Sequence, residues 1–493
     1  VSYEAVIGLE VHVQLRTETK IFCRCPHRFG AEPNTLVCPV CLGYPGTLPV
    51  LNRRAVDLAV RLALALGARV HRRSEFDRKS YFYPDLPKGY QITQKRRPLA
   101  TGGRLPLTRH PREIALERLH LEEDAGKLLH EAPGGRPLPG YTLVDFNRCG
   151  APLVEIVSRP ELSTPEEARD FLQSLHRVLL FTGTSDGSME EGSLRCDANV
   201  SLHRPGDPEL GTRTEIKNVS SFRHLARALE HEIERQTEVL DRGDRVERET
   251  RGLDADAGGA GATRTLRGKE DSPDYRYLPE PDLPPLVLSE ERIEALRRDL
   301  PELPWELEER LASSYGVSVQ VARILGQNPE LARYFERALG EEGVSEPSRG
   351  RTMARWVSNE LLGELRRRGV GLEDAPPPGH LGALVDLVDS GRISRRAGKR
   401  VLAEMWDTGE EPSGVVERLG LVQIEDREAL EAWIRELLDE HPRKADRIRG
   451  GETRLLDFFV GRVMQRSGGR AAPRRVRELL IETLTAPAET SVG

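Results

Sequence analysis

The chain has 493 residues, with 45 Gly, 34 Pro, 31% charged and 5% aromatic side chains, which fits two to four ordered domains and excludes a small stapled scaffold or a long disordered tail. Its 79 acidic and 73 basic residues leave a formal net charge of −6, which at first sight disfavours a nucleic-acid partner, because phosphates are met by Lys and Arg. No apolar run approaches the roughly 18 residues of a membrane helix, and Val1–Leu15 lack a basic stretch leading into an apolar one, so a cytoplasmic protein with no membrane partner is expected.

The first 288 residues read as an α+β domain. In the strand Val6–Leu15, period two puts Ile7, Leu9, Val11, Val13 and Leu15 on one face and Glu10, His12 and Gln14 on the other. Four of the six cysteines follow closely: Cys23 and Cys25, twelve intervening residues, then Cys38 and Cys41. Two tight thiol pairs across a loop suit a tetrahedral zinc ion, a closed structural site without an open catalytic position. The plainer alternative is four thiols without metal.

A helix over Arg53–Leu66 comes next. The segment Phe76–Gln91 then gathers Tyr81, Tyr83 and Tyr90 with Lys79 and Lys88, two of only nine lysines in the chain. It reads as a loop closing over a nucleotide or an aminoacylated RNA end, where stacking and cationic contacts are both useful, or more plainly as a packed aromatic loop. Leu121–Lys127 contains three consecutive acids, Glu122, Glu123 and Asp124, among which the pattern does not choose, although alternation groups Glu123 with Leu119 and Leu121.

Strands are expected at Thr142–Phe146, Leu153–Val157, Cys196–Leu202 and Thr212–Val219. Glu155 is flanked by apolar residues and shares a face with Leu153 and Val157, so its carboxylate should be buried beside a cation or hydrogen-bond donor. Asp197, Asn199 and Ser201 share one face, and Glu215 pairs with Lys217. Helices fall at Thr164–Leu180, opened by a capping box of Thr164 and Glu167 around Pro165, and at Ser221–Leu240. Gly252–Gly268, with Gly258, Gly259 and Gly261, is a loop or flap, and Leu278–Pro285 closes the domain.

The rest is helical: a domain over 289–389 and a tail over 390–493 with helices at Ser394–Trp406, Asp426–Asp439, Glu452–Gln465 and Pro473–Leu484. The tail is balanced in charge but locally basic at Arg462, Arg466, Arg474, Arg475 and Arg477, a salt-bridged face or an RNA contact.

Several strands thus offer carboxylates to a common face, with one His and one Lys among them. That is how a Mg²⁺-nucleotide site is built on a sheet, since Mg²⁺ takes oxygen ligands and a triphosphate needs metal and cation together. The phosphate-loop GxxxxGK[ST] and a convincing GxGxxG are missing, as are GxSxG and HExxH, so an ATP site here would not be a P-loop.

The segments VIGLEVHVQL from Val6, FGAEPN from Phe29, YPGTLPVLN from Tyr44, FDRKSYFYPDLPKGYQI from Phe76, HLEEDAGK from His120 and DFNRCGAPLVEIVS from Asp145 resemble the B-subunit family of the aspartyl/glutamyl-tRNA amidotransferases. So do MEEGSLRCDANVSL from Met189, TEIKNVSSF from Thr214, DYRYLPEPDLPPL from Asp274 and LVQIED from Leu421. The resemblance implies a glutamine-synthetase-like catalytic cradle with a mixed sheet, followed by two all-α domains, the last meeting tRNA. It implies ATP-dependent phosphorylation of the side-chain carboxylate of Glu or Asp on a mischarged tRNA, and amidation with ammonia from a separate glutamine-hydrolysing amidase chain that a further small chain braces. By position, it assigns Mg²⁺ to His12, Glu123 and Glu155, the nucleotide and activation site to Glu10, Asp197, Glu215 and Lys217, and a zinc knuckle to Cys23, Cys25, Cys38 and Cys41. A non-catalytic, zinc-containing tRNA-binding scaffold is the competing expectation.

Overall fold

The computed structural model describes residues 2–129, 131–132, 136–253, 263–267, 274–340, 347–423, 426–468 and 470–485. The flap expected at Gly258–Gly261 lies outside the described residues, as does the chain beyond residue 485. The chain divides into two compact units, Val1–Leu307 and Glu308–Gly493.

The first unit is built on a ten-stranded mixed sheet. Its principal strands are β1 (Glu4–Gln14), β4 (Glu113–Glu123), β5 (Pro152–Ser158), β6 (Leu194–His203), β7 (Thr214–Val219), β8 (Thr250–Leu253) and β9 (Thr263–Arg267). They lie in the order β9-β8-β7-β6-β1-β5-β4, continued by short edge strands. All neighbouring pairs in this run are antiparallel except β7 with β8. In β1 the apolar row Ile7, Leu9, Val11 and Val13 is at most 1% exposed, while Glu10, His12 and Gln14 are only half-buried, so one face of the sheet meets the core and the other stays open.

Three helices fill the core face: α1 (Arg53–Ala65), α2 (Pro165–Thr182) and α3 (Phe222–Asp241). The Asn52 side chain caps α1, accepting from the Arg54 and Ala55 N–H groups. The expected capping box opens α2, with Thr164 Oγ1 accepting from Glu167 N–H at 3.1 Å and Glu167 accepting from Ser163 N–H at 2.9 Å. Gly183, at φ 64°, ends it.

A second, four-stranded sheet corrects the reading of Phe76–Gln91 as one loop. Strands β2 (Arg73–Ser80) and β3 (Tyr90–Arg97) pair antiparallel, so only residues 81–89 connect them. Their sequences are polar and lack an apolar alternation because the buried positions include Ser74, Asp77, Gln91, Thr93 and Gln94, satisfied by hydrogen bonds such as Asp77 with the Lys95 and Arg96 N–H groups. The helix α4 (Glu290–Arg298) packs on α1 through Arg292 and Asp57, so the first unit runs past residue 288.

The second unit is helical. Among the described residues α10 (Pro378–Asp389) packs on α7 (Pro329–Leu339), α11 (Arg395–Thr408) and α12 (Pro412–Arg418), so helix packing continues across residue 390, where the sequence pattern placed a boundary. The last four helices, α13 (Arg427–Glu440), α14 (Pro442–Arg449), α15 (Leu456–Arg466) and α16 (Pro473–Thr485), share a core of Leu430, Ile434, Phe459, Val463, Val476 and Leu480. With only Ala445 and Ile448 as inward apolar residues, α14 was not legible as a helix.

Candidate active site and metal centres

The open face of the large sheet lines a pocket of about 410 Å³. Strand register assembles its base: His12 on β1 lies opposite Glu155 on β5, and Glu155 lies opposite His120 on β4. Two residues beyond His120, Glu122 reaches the same face. His12 Nε2 stands 3.3 Å from Glu155 Oε2 and 3.6 Å from Glu122 Oε1, and one ligand atom from each of the three residues lies within 4.8 Å of the others. Three ligands at about 2.1 Å on one face of an octahedron would be about 3 Å apart, so this triad can close on a small divalent cation with little movement.

Both carboxylates are buried, Glu155 at 8% and Glu122 at 3% exposure, and each has cationic or donor neighbours. His120 Nε2 lies 3.5 Å from Glu155 and 3.7 Å from Glu122, Arg118 lies 3.6 Å from Glu155, and Thr93 Oγ1 donates to Glu122 at 3.1 Å. Burial disfavours the Glu155 anion, but His120, His12 and Arg118 outweigh it and hold its pKa well below the usual carboxylate range. The reciprocal holds for His12: burial opposes its charge, yet the Glu155 hydrogen bond and the Glu122 and Glu155 charges raise its pKa to about 9.

The other wall of the pocket carries the second predicted group. Lys217 Nζ donates to Asp197 at 2.7 Å and to Glu215 at 3.1 Å, and Asn199 donates to Glu10 at 3.2 Å. Burial and the nearby Glu155 and Asp197 charges raise the Glu10 carboxyl above its ordinary pKa. Lys79 also lines the pocket, its ammonium 4.7 Å from the Tyr275 ring centroid, and Tyr81 meets Tyr275 edge to face.

Tyr81 does not itself line the pocket, and four further predicted residues lie elsewhere. Glu123 points to the opposite face of β4, where Lys88 Nζ donates to it and the Ile92 N–H donates to the same carboxylate oxygen at 2.9 Å. The structure therefore places Glu122, not Glu123, beside His12 and Glu155, because side chains alternate along a strand. Lys88 is committed to Glu123, Tyr90 carries the Lys88 and Arg78 cations over its ring at 5.2 and 4.2 Å, and Tyr83 lines a separate shallow dimple. None of these three borders the carboxylate pocket. Sequence reasoning missed Arg118, His120, Tyr275 and Tyr277, which do; for the first two, stepping by two from Glu122 was an available signal.

The four cysteines converge. Their sulfurs lie within 4.8 Å of one another, and Cys38 and Cys41 Sγ are 3.9 Å apart, close to the roughly 3.8 Å edge of a tetrahedron with 2.3 Å metal–sulfur bonds. The Cys23 hydrogen bond, the Cys38 N–H and the Lys20 charge outweigh burial and lower the Cys41 thiol well below its usual range. The donor set fits a thiophilic divalent metal.

In the tail, Arg466 pairs with Glu436 and Glu440, Arg477 with Asp457, and Arg474 and Arg475 with Glu478, while Arg462 lies 5.6 Å from the Phe458 ring centroid. The basic residues there are mostly ion-paired on the surface. No helix among the described residues is long and apolar enough to cross a membrane.

The comparison with known families divides the chain in a similar way, into a catalytic domain and a following domain. Residues 5–294 match the GatB/GatE catalytic domain and residues 333–484 the GatB domain, and the chain belongs to this family of amidotransferase B-type chains. It is 47% identical over 485 residues to the B-type chain of the aspartyl/glutamyl-tRNA(Asn/Gln) amidotransferase of Carboxydothermus hydrogenoformans, covering 98% of this chain and 99% of that one. Its identity to the protein of the same name from Thermus thermophilus is 49% over 484 residues, and to that from Geobacter sulfurreducens 46% over 487, with coverage of 98% and 99% in both cases.

Proposed function

We infer that this chain is the activating component of a tRNA-dependent amidotransferase, converting Glu on tRNA(Gln), Asp on tRNA(Asn), or both, to the amide. The observation that carries this reading is the buried His12, Glu122 and Glu155 triad at the base of a pocket whose far wall offers Lys217 and Glu10. A carboxylate is a poor acceptor for ammonia, being anionic and without a leaving group, and phosphorylation supplies one. Mg²⁺ and ATP, when bound, supply the phosphoryl group and offset its charge.

The residues of the chain then have distinct tasks. His12, Glu122 and Glu155 hold the metal. Lys217, already between Asp197 and Glu215, can turn its ammonium to a phosphate oxygen, and Lys79 offers a second cation from the opposite side. Glu10, its pKa raised by burial and neighbouring carboxylates, takes the proton that ammonia sheds on becoming an amide. Tyr275 and Tyr277 flank the pocket and limit water.

The Cys23, Cys25, Cys38 and Cys41 centre holds zinc in a structural role. Ammonia comes from the amidase chain of the complex, steadied by its small third chain, and the helical tail meets tRNA; its surface ion pairs contribute little to stability and can be exchanged for phosphates. The setting is cytoplasmic, where thiols stay reduced. The test is an assay of the reconstituted complex with both mischarged tRNAs: Glu155→Gln should abolish ATP-dependent amidation while glutamine hydrolysis persists. An active Glu155→Gln complex would overturn the triad's role, and tRNA binding without ADP release by the unaltered complex would favour the scaffold reading.

A further inference from the structure

Lys20 is fully buried, at 0% exposure, in the loop between β1 and α1. A charged ammonium is expelled from such a place unless something compensates it, and the usual compensation is a carboxylate. Among the described residues no carboxylate pairs with it. Its Nζ has two acceptors, Cys41 Sγ at 3.6 Å and the Phe146 carbonyl at 3.3 Å.

The surroundings hold the side chain in that position. The Lys20 N–H donates to the Cys25 carbonyl at 3.0 Å, and the Lys20 carbonyl accepts from Asn52 Nδ2 at 3.3 Å. Gly150, at φ 80°, packs beside the lysine stem: a Cβ there would sit at ordinary contact distance, 3.6 Å from Lys20 Cδ and 3.5 Å from Cys41 Cβ. The backbone of one metal-ligand candidate thus anchors the lysine whose ammonium meets the sulfur of another.

Four thiolates around a divalent cation carry a formal charge of −2, which is costly on the side of the site where Cys41 is buried and water cannot solvate it. We propose that Lys20 is the built-in counter-ion of this centre, its ammonium donating a hydrogen bond to Cys41 Sγ so that the loaded site carries less net charge and releases its metal slowly. The lysine solves two burial problems at once, since the thiolates give the ammonium the negative partner that no carboxylate provides. Outer partners of this kind alter metal affinity without touching the ion. The inference rests on the proposal above that the four cysteines hold a divalent metal.

The experiment uses the full-length chain. Metal analysis of the wild type should give close to one zinc per chain; an empty wild type defeats the metal reading itself, and the inference with it. Given a loaded wild type, Lys20→Met should surrender zinc to a chromophoric chelator about tenfold faster or more. With Co²⁺ in place of zinc, its sulfur-to-metal charge-transfer bands should move to lower energy, as the thiolate loses a donor. Lys20→Arg keeps the charge and should release zinc near the wild-type rate; it carries the test should the Met variant not fold. A Lys20→Met protein with wild-type release and an unshifted Co²⁺ spectrum, or a Lys20→Arg protein that loses metal as fast as Lys20→Met, overturns the proposal. So does a thermal destabilisation by Lys20→Met that is equal in loaded and stripped protein with unchanged release.

Discussion

The two metal-competent clusters of the first unit are built by opposite means. His12, Glu122 and Glu155 come from three adjacent strands, and their convergence is fixed by register and by the two-residue period of each strand. The four cysteines come from connecting loops, in a stretch from residue 15 to residue 52 with no helix and no extended strand, tied to the rest of the unit by hydrogen bonds such as Leu36 N–H to Asn147 Oδ1 and Ile21 N–H to the Gly150 carbonyl. The first cluster is held by strand pairing and ion pairs and keeps an open side toward the pocket. The second brings four sulfurs to one point, a set that leaves a tetrahedral ion no open position. A site with an open side can do chemistry, whereas a closed one is suited to holding a loop in place.

The sharpest way to break that comparison is at two neighbouring residues. Glu122→Gln should weaken Mn²⁺ binding, read by electron paramagnetic resonance, by more than the roughly 100-fold typical of losing an outer partner. Glu123→Gln should leave Mn²⁺ binding intact and instead destabilise the first unit by about 3 to 5 kcal/mol in urea unfolding, because it strands the buried Lys88 ammonium. The reverse pattern would restore the assignment of Glu123 to the metal and remove strand period as the organising rule.

That pair also shows how far the sequence could be read. Glu155 was legible because a single acid interrupts a strongly apolar strand, and Glu10, His12, Asp197, Glu215 and Lys217 because alternation sets them on the polar face of their strands. The choice within Glu122-Glu123-Asp124 was not legible from charge, since all three are buried and all three are paired. Alternation with Leu119 and Leu121 pointed Glu123 inward, and the residue-by-residue resemblance pointed it to the metal; the geometry sides with alternation. The capping box at Thr164 and the helices after Ser221 and Ser394 were read to within two residues, because caps are local chemistry. Strands β2 and β3 were not, because their buried faces are polar and their stability comes from cross-strand partners distant in sequence. The packing of α10 on α11 and α12 was also hidden, since a short Ser390-Gly391 connection looks the same whether the helices around it part or pack.

Removal of metal tests the other half of the comparison. Stripping the cysteine centre with a chelator should lower the thermal midpoint of the first unit and raise amide exchange across residues 16–52, with little change in β1, β4 and β5, whose ladders do not depend on it. Stripping divalent ions from the carboxylate triad should leave exchange at its strands almost unchanged, because hydrogen bonds and ion pairs already hold His12 and Glu155. Equal loosening around both centres would mean that the triad too is organised by its ion.

The smallest effect belongs to a carboxylate remote from either cluster, which sets the scale for an ordinary buried charge. Glu167, in the first turn of α2, accepts from the Ser163 N–H at 2.9 Å and from Arg112 at 2.7 Å. Burial opposes its ionisation, but those donors win and lower its pKa below the ordinary value. A depressed folded-state pKa stabilises the fold at every pH above the unfolded value and is lost as pH falls through the folded one. Glu167→Gln should therefore cost about 1 kcal/mol at neutral pH, the scale of a helix cap, and the difference from wild type should shrink as acid protonates Glu167 in both states. Urea titrations of the two proteins at neutral and acidic pH measure it. A gap that persists in acid would assign the loss to packing at the start of α2.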